Sequence, residues 1–116
     1  MDVPQAILRH TAKEGIMALT FADPVHPGEY LREEYLIPLG LSAGALAKAL
    51  HLPRTRIERI VKEEVGVSAD TALRLSRYFG TSPDIWLNFQ RVWDLRKEAE
   101  ALKDELERIV PRSIAA

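Results

Sequence analysis

Beyond Pro27, apolar residues recur at helical spacing along most of this chain, with turn and cap residues between the runs. From Ser42 to Leu50, the residues Leu46, Ala47 and Leu50 make one short apolar stripe, and Ser42 stands where a hydroxyl caps a first turn. His51 and Leu52 then interrupt. Pro53 suits the first position of a second helix, because its missing N–H has no intrahelical partner there. In that stretch, Pro53 to Lys62, the residues Ile57, Ile60 and Val61 form a buried stripe. Arg54, Thr55, Arg56, Arg59 and Lys62 are left on or near the outward side.

Helices are predicted on both sides of this pair. Pro27 at a helix start, Glu29 in the first turn, Leu31 and Tyr35 at i and i+4, and Pro38 with Gly40 beyond the end describe a helix of about ten residues. After the pair, Gly66 marks a turn and Ser68 a cap, and Ala72, Leu75 and Phe79 line one face of the next helix, which Gly80 closes. Ser82, Pro83 and Asp84 then open a last helix, running from Pro83 to about Val110, where Pro111 stops it. Its apolar positions Phe89, Val92, Leu95, Ala99, Leu102, Leu106 and Ile109 settle into a period of about 3.5 residues, the spacing of a helix that packs along a partner helix.

About 39 Å of such helix is more than one small domain covers. Trp86 and Phe89 are expected in the domain's own core, and the plain structural reading places Ile85, Val92 and Trp93 there with them. Leu95, Leu102, Leu106 and Ile109 are the candidates for a dimer interface. The charges around them, among them Arg96, Lys97, Glu98, Glu100 and Lys103, mix both signs, as a solvated rim does. The predicted organisation is a partly flexible tail over residues 1–25, a helical domain over 26–110 that includes a dimerisation helix at 83–110, and a short tail over 111–116. Met17 is an alternative beginning of the chain.

Charge changes the picture at one place. Between Lys48 and Lys62 stand Lys48, Arg54, Arg56, Arg59 and Lys62 against Glu58 alone, a local balance of +4 in a chain whose net charge is −1. Two short helices with a sharp corner between them, the second carrying exposed arginines, match a helix-turn-helix presenting a recognition helix to the major groove. A guanidinium can take guanine O6 and N7 bidentately, so base readout falls to Arg54, Thr55, Arg56 and Arg59, with Lys62 on phosphate. Ser42 and Lys48 of the first helix complete the candidate DNA-binding residues. The pI near 6.3 makes this a matter of clustered rather than total charge.

Composition bounds the alternatives. At 116 residues, 47% hydrophobic and 28% charged, the chain has the make-up of one ordinary globular domain. It shows neither an apolar run of about 20 residues nor a secretory leader, and a cytoplasmic location is expected. With no cysteine, and with histidines only at 10, 26 and 51, no metal or other cofactor is expected. The serines and histidines form no nucleophile elbow, and neither a paired-carboxylate site nor a glycine-rich phosphate loop is present, so an enzyme is not expected.

Residues 26-HPGEYLREEYLIPLGLSAGALAKAL-50 and 69-ADTALRLSRYFGTSPDIWLNFQ-90 resemble the HigA family of antitoxins, the plasmid-maintenance antidote group of Xre-type regulators. The most specific parts are His26-Pro27-Gly28-Glu29, Ala69 to Leu75, and Gly80 to Pro83 followed by Trp86-Leu87-Asn88. The resemblance implies an all-α, five-helix, lambda-repressor-like domain with a long C-terminal helix, usually a homodimer. It further implies binding to double-stranded operator DNA, repression of the chain's own operon, and neutralisation of a RelE/HigB-like toxin that cleaves messenger RNA on the ribosome. This chain departs from the pattern twice. Ala43 stands where related domains commonly place a glutamine that touches phosphate, and His51 stands where the turn often holds glycine, which predicts a less relaxed turn. Two alternatives belong to other classes: a protein-interaction module that sequesters a partner with little or no DNA binding, and a stand-alone Xre-type regulator.

Overall fold

His26-Pro27-Gly28-Glu29 opens the first helix, and each position has a physical task in the computed structural model, which describes residues 23–113. His26 Nδ1 accepts the Gly28 N–H at 2.8 Å and caps α1 (Pro27–Leu31). Its ring lies edge-on to Trp93 at 5.0 Å, and burial lowers its pKa, which keeps the imidazole neutral and able to accept. Pro27 sits in the first turn, where no donor is lost, and Glu29 faces the positive end of the helix. Gly28 is a close-approach position: a Cβ there would stand 1.8 Å from the Ile60 carbonyl oxygen.

α1 runs on through a π-helical segment (Arg32–Leu36) and one α-turn (Ile37–Leu39) to Gly40, whose φ of 60° ends the run. The run is therefore longer than the expected ten residues, with Pro38 inside it. The Ile37 N–H bonds the Arg32 carbonyl five residues back, and this wider turn accommodates a proline that brings no N–H and a bulky ring. Next come α2 (Ala43–Leu50), α3 (Arg54–Val61) and α4 (Ala69–Phe79). Ser42 caps α2 by accepting the Ala45 N–H at 3.1 Å, and Ser68 caps α4 through the Thr71 N–H at 3.3 Å. Pro53 is extended, with ψ 139°, so it is the cap of α3 and the helix starts one residue later than expected.

The long C-terminal helix is two helices, α5 (Pro83–Ala101) and α6 (Lys103–Arg108), interrupted at Leu102 with φ −99° and ψ 9°. No proline or glycine stands at the break. It falls where the helix has left the body, since every described residue from Lys97 onward is exposed and no described element packs there to hold the axis straight. Among the described residues there is no strand, and no helix is long and apolar enough to cross a membrane. Most of the expected N-terminal tail, Met17 included, and residues 114–116 lie outside the described residues. Val25 is already part of the core.

Trp86 is the centre of that core. Wholly buried, it meets Tyr30 at 5.0 Å, Tyr35 at 5.6 Å and Phe79 at 6.4 Å, and its indole N–H donates to Thr81 Oγ1 at 2.9 Å. Leu31, Leu46, Ile57, Ile60 and Leu75 close the core from the other helices. Phe89 is buried as well, whereas Leu95, Leu102, Leu106 and Ile109 are 59%, 42%, 50% and 64% exposed.

His51 bends the chain between α2 and α3 with φ 59° and ψ 44°, the left-handed conformation that a Cβ disfavours. His51→Gly is expected to raise stability by about 0.5–1 kcal/mol, read as a higher urea midpoint at unchanged slope. A lower midpoint would show that the imidazole makes a contact worth more than the strain.

Candidate nucleic-acid interface

A surface helix can read a duplex only if its own body holds it still, and α3 is held from behind at its C-terminal end. Gly28 of α1 lies against the Ile60 carbonyl. Arg32 donates from Nη1 to the Val61 carbonyl at 2.6 Å and pairs through Nη2 with Glu63 at 3.3 Å. α2 is secured the same way by α4: Arg74 Nη1 donates to the carbonyls of Leu50 at 2.8 Å and His51 at 3.2 Å, while its Nε bonds Asp70 at 2.7 Å. These guanidiniums occupy carbonyls that have no partner within their own helix. Gln90 of α5 accepts the Val67 N–H at 2.8 Å and so ties the loop after α3 to the last helix.

The opposite face of α3 is open. Arg54, Thr55, Arg56 and Arg59 are exposed, while Ile57 and Ile60 are fully buried beneath them. Thr55, Arg56 and Arg59 line a shallow cleft whose other wall is Val65, Gly66, Ser68 and Thr71, at the start of α4. Arg54 points the other way, with its stem across the first turn of α2 at Gly44 and its Nε on Glu58 Oε2 at 3.1 Å. Arg59 pairs more loosely with Glu64, at 3.6 Å.

The seven candidate residues do not form one cluster. Arg54 of α3 reaches the first turn of α2 at Gly44, two residues after the Ser42 cap, with Thr55 and Arg56 following in the first turn of α3. Lys48 is exposed in the last turn of α2, and Lys62 at the far cap of α3, both at the opposite ends of their helices. Such spread suits a track of phosphates more than a single pocket. Residues not singled out from the sequence also shape this face. Glu58 has a local signal, the i,i+4 spacing from Arg54. The Arg32 and Arg74 clamps have none, because their targets are backbone carbonyls 29 and 24 residues away.

Comparison with known proteins decides the family. The helix-turn-helix family matches residues 31–86. Antitoxin HigA-1 of Vibrio cholerae is 32% identical over 95 residues, which span 82% of this chain and 90% of that protein. The solved structure of Pseudomonas aeruginosa antitoxin HigA with the higBA promoter superposes with a TM-score of 0.76 at 40% identity, covering 78% of this chain and all of that one. The chain belongs to the HigA antitoxin family. Virulence-associated protein I of Dichelobacter nodosus is a further relative, 58% identical over 92 residues, or 79% of this chain and 84% of that protein.

Within the HigA frame, the matched helix-turn-helix segment runs from the end of α1 to the first turn of α5 and contains both arginine clamps. Gly28, which sets the approach of α1 to α3, and the exposed stripe from Leu95 to Ile109 lie outside it.

Proposed function

We infer that this chain is an antitoxin that represses its own operon by sequence-specific binding to double-stranded DNA and neutralises a RelE/HigB-like toxin. The observation that carries the DNA half is the outward row Arg54, Thr55, Arg56 and Arg59 on a helix whose inner face is buried and whose far end is clamped. The P. aeruginosa HigA structure, which contains promoter DNA, supports this reading at 40% identity. The work is binding, with no covalent step. A dimer would lay two copies of α3 in successive major grooves, on half-sites about 34 Å apart.

The second copy is assigned to the stripe Leu95, Leu102, Leu106 and Ile109 within 83–110, which a single chain leaves uncovered. Changing Leu102 and Leu106 together to Glu is expected to turn dimers into monomers in sedimentation. Losing the linkage between half-sites should weaken operator binding at least about a hundredfold. A wild-type chain that sediments as a monomer at micromolar concentration would remove the dimer from this scheme.

Two assays on the same variant test the two halves of the function. Replacing Arg54, Arg56 and Arg59 by Ala, at about 1–3 kcal/mol per base-reading arginine, is expected to abolish the gel shift of the promoter fragment upstream of the chain's own gene. Co-purification with the toxin encoded beside it should persist. A sequestering protein without operon control has one observation in its favour, the pairing of Arg54 and Arg59 with carboxylates. In that case the wild type would capture toxin and shift no promoter DNA.

A further inference from the structure

We propose that Glu58 is a positioning residue that aims the Arg54 guanidinium at guanine before DNA arrives; this rests on the DNA-binding reading above. Glu58 is the single acid between Lys48 and Lys62, on a surface meant for a polyanion, where a carboxylate repels phosphate. Its side chain is 35% exposed and that of Arg54 is 73% exposed, so the carboxylate sits sheltered beneath the cation. An exposed i,i+4 pair adds little to stability, and holding the fold together does not account for it.

The geometry accounts for it. Arg54 donates its Nε–H, the inner N–H of the guanidinium, to Glu58 Oε2 at 3.1 Å. Neither terminal nitrogen has a hydrogen-bond partner among the described residues, and the two are the fork that meets guanine O6 and N7 side by side. Gly44 completes the mount. A Cβ at that position would lie 3.5 Å from Arg54 Cδ and 3.6 Å from Nε, so the stem runs along the bare backbone of α2 while Glu58 fixes the plane. Arg59 pairs with the looser, more exposed Glu64, at 3.6 Å. A side chain already ordered in its binding geometry loses less freedom on binding, and Arg54 is the arginine of this face to which that applies most fully.

In vitro selection from a library of randomised duplexes tests this with the full chain. Wild type should enrich a guanine in each half-site that Arg54→Ala no longer selects. Glu58→Ala should lose about tenfold of the guanine-over-adenine ratio at that same position. It should bind unselected duplex as well as or better than wild type, since a negative charge has left the face, and its melting temperature should stay within about 2 °C. Glu58→Gln, which keeps an acceptor, should recover part of the ratio, and Glu58→Ala added to Arg54→Ala should change nothing further there. The proposal is overturned if Glu58→Ala keeps the guanine preference, or if it alters another base position with or without Arg54, which would make Glu58 itself a reader of cytosine. Enrichment of no sequence by the wild type would sink the DNA-binding reading as a whole, an outcome distinct from either of these.

Discussion

Raising salt from about 50 to about 200 mM is expected to weaken operator binding by roughly three and a half orders of magnitude, a slope of log K against log salt near −6. Three or four phosphates neutralised by each subunit of a dimer, at about −0.9 per phosphate, give this slope. Every cation that this face seats on the duplex adds to that count, the base-reading Arg54, Arg56 and Arg59 as well as Lys48 and Lys62 at the helix ends. The net charge of −1 makes the measurement decisive, because no diffuse positive field exists to imitate local contacts. Gel shifts or fluorescence titrations at four or more salt concentrations give the slope directly. A flat response would mean that this face does not track phosphates, and toxin capture would be left as the function.

Gly28→Ala should be the most damaging added methyl among the described glycines, costing about 3 kcal/mol or more. A Cβ placed 1.8 Å from the Ile60 oxygen overlaps backbone, which cannot rotate away as a side chain would. For a domain of this size, that corresponds to a drop in melting temperature of at least roughly 12 °C. The clash also pushes on the C-terminal end of α3, whose next carbonyl is the one held by Arg32. Operator affinity measured well below the melting transition should therefore fall too, without the molecule unfolding. Gly40→Ala is the contrast: its φ of 60° carries strain, but nothing lies within 4 Å of the added Cβ, so the cost should stay near 1 kcal/mol. Equal effects of the two changes would show that α1 does not approach α3 so closely.

Much of the molecule was legible in the residues because its signals are local. Leu46, Ala47 and Leu50 on α2, and Ile57 and Ile60 on α3, repeat at the helical period and are buried, while Val61 of the same stripe is half-buried at the end of its helix. Ser42, Ser68 and Ser82 were readable as caps, and each accepts a backbone N–H two or three residues on. The resemblance added His51 where the turn often holds glycine, which predicts a less relaxed turn, and its φ is 59°. The π-helical turn was not readable. Pro38 signalled a helix end, and whether a proline ends a helix or widens it depends on what surrounds the next turn. The break at Leu102 was also hidden, since Ala101, Leu102 and Lys103 are good helix formers and only the lack of packing around them distinguishes the site.

By itself the sequence determined α2, α3 and α4, the face each of these buries, and the arginine row on the second helix of the pair, all consequences of spacing within a few residues. Only the tertiary structure decided how that row is presented. Arg32 and Arg74 reach backbone carbonyls far away in the chain, Gly28 lets two helices touch, and Gly44 gives Arg54 a bare surface to lie on. The physical reason is that a carbonyl oxygen carries no residue identity. Which one an arginine finds, and which glycine must stay small, follows from how the helices cross, and that is written in no single stretch of the chain.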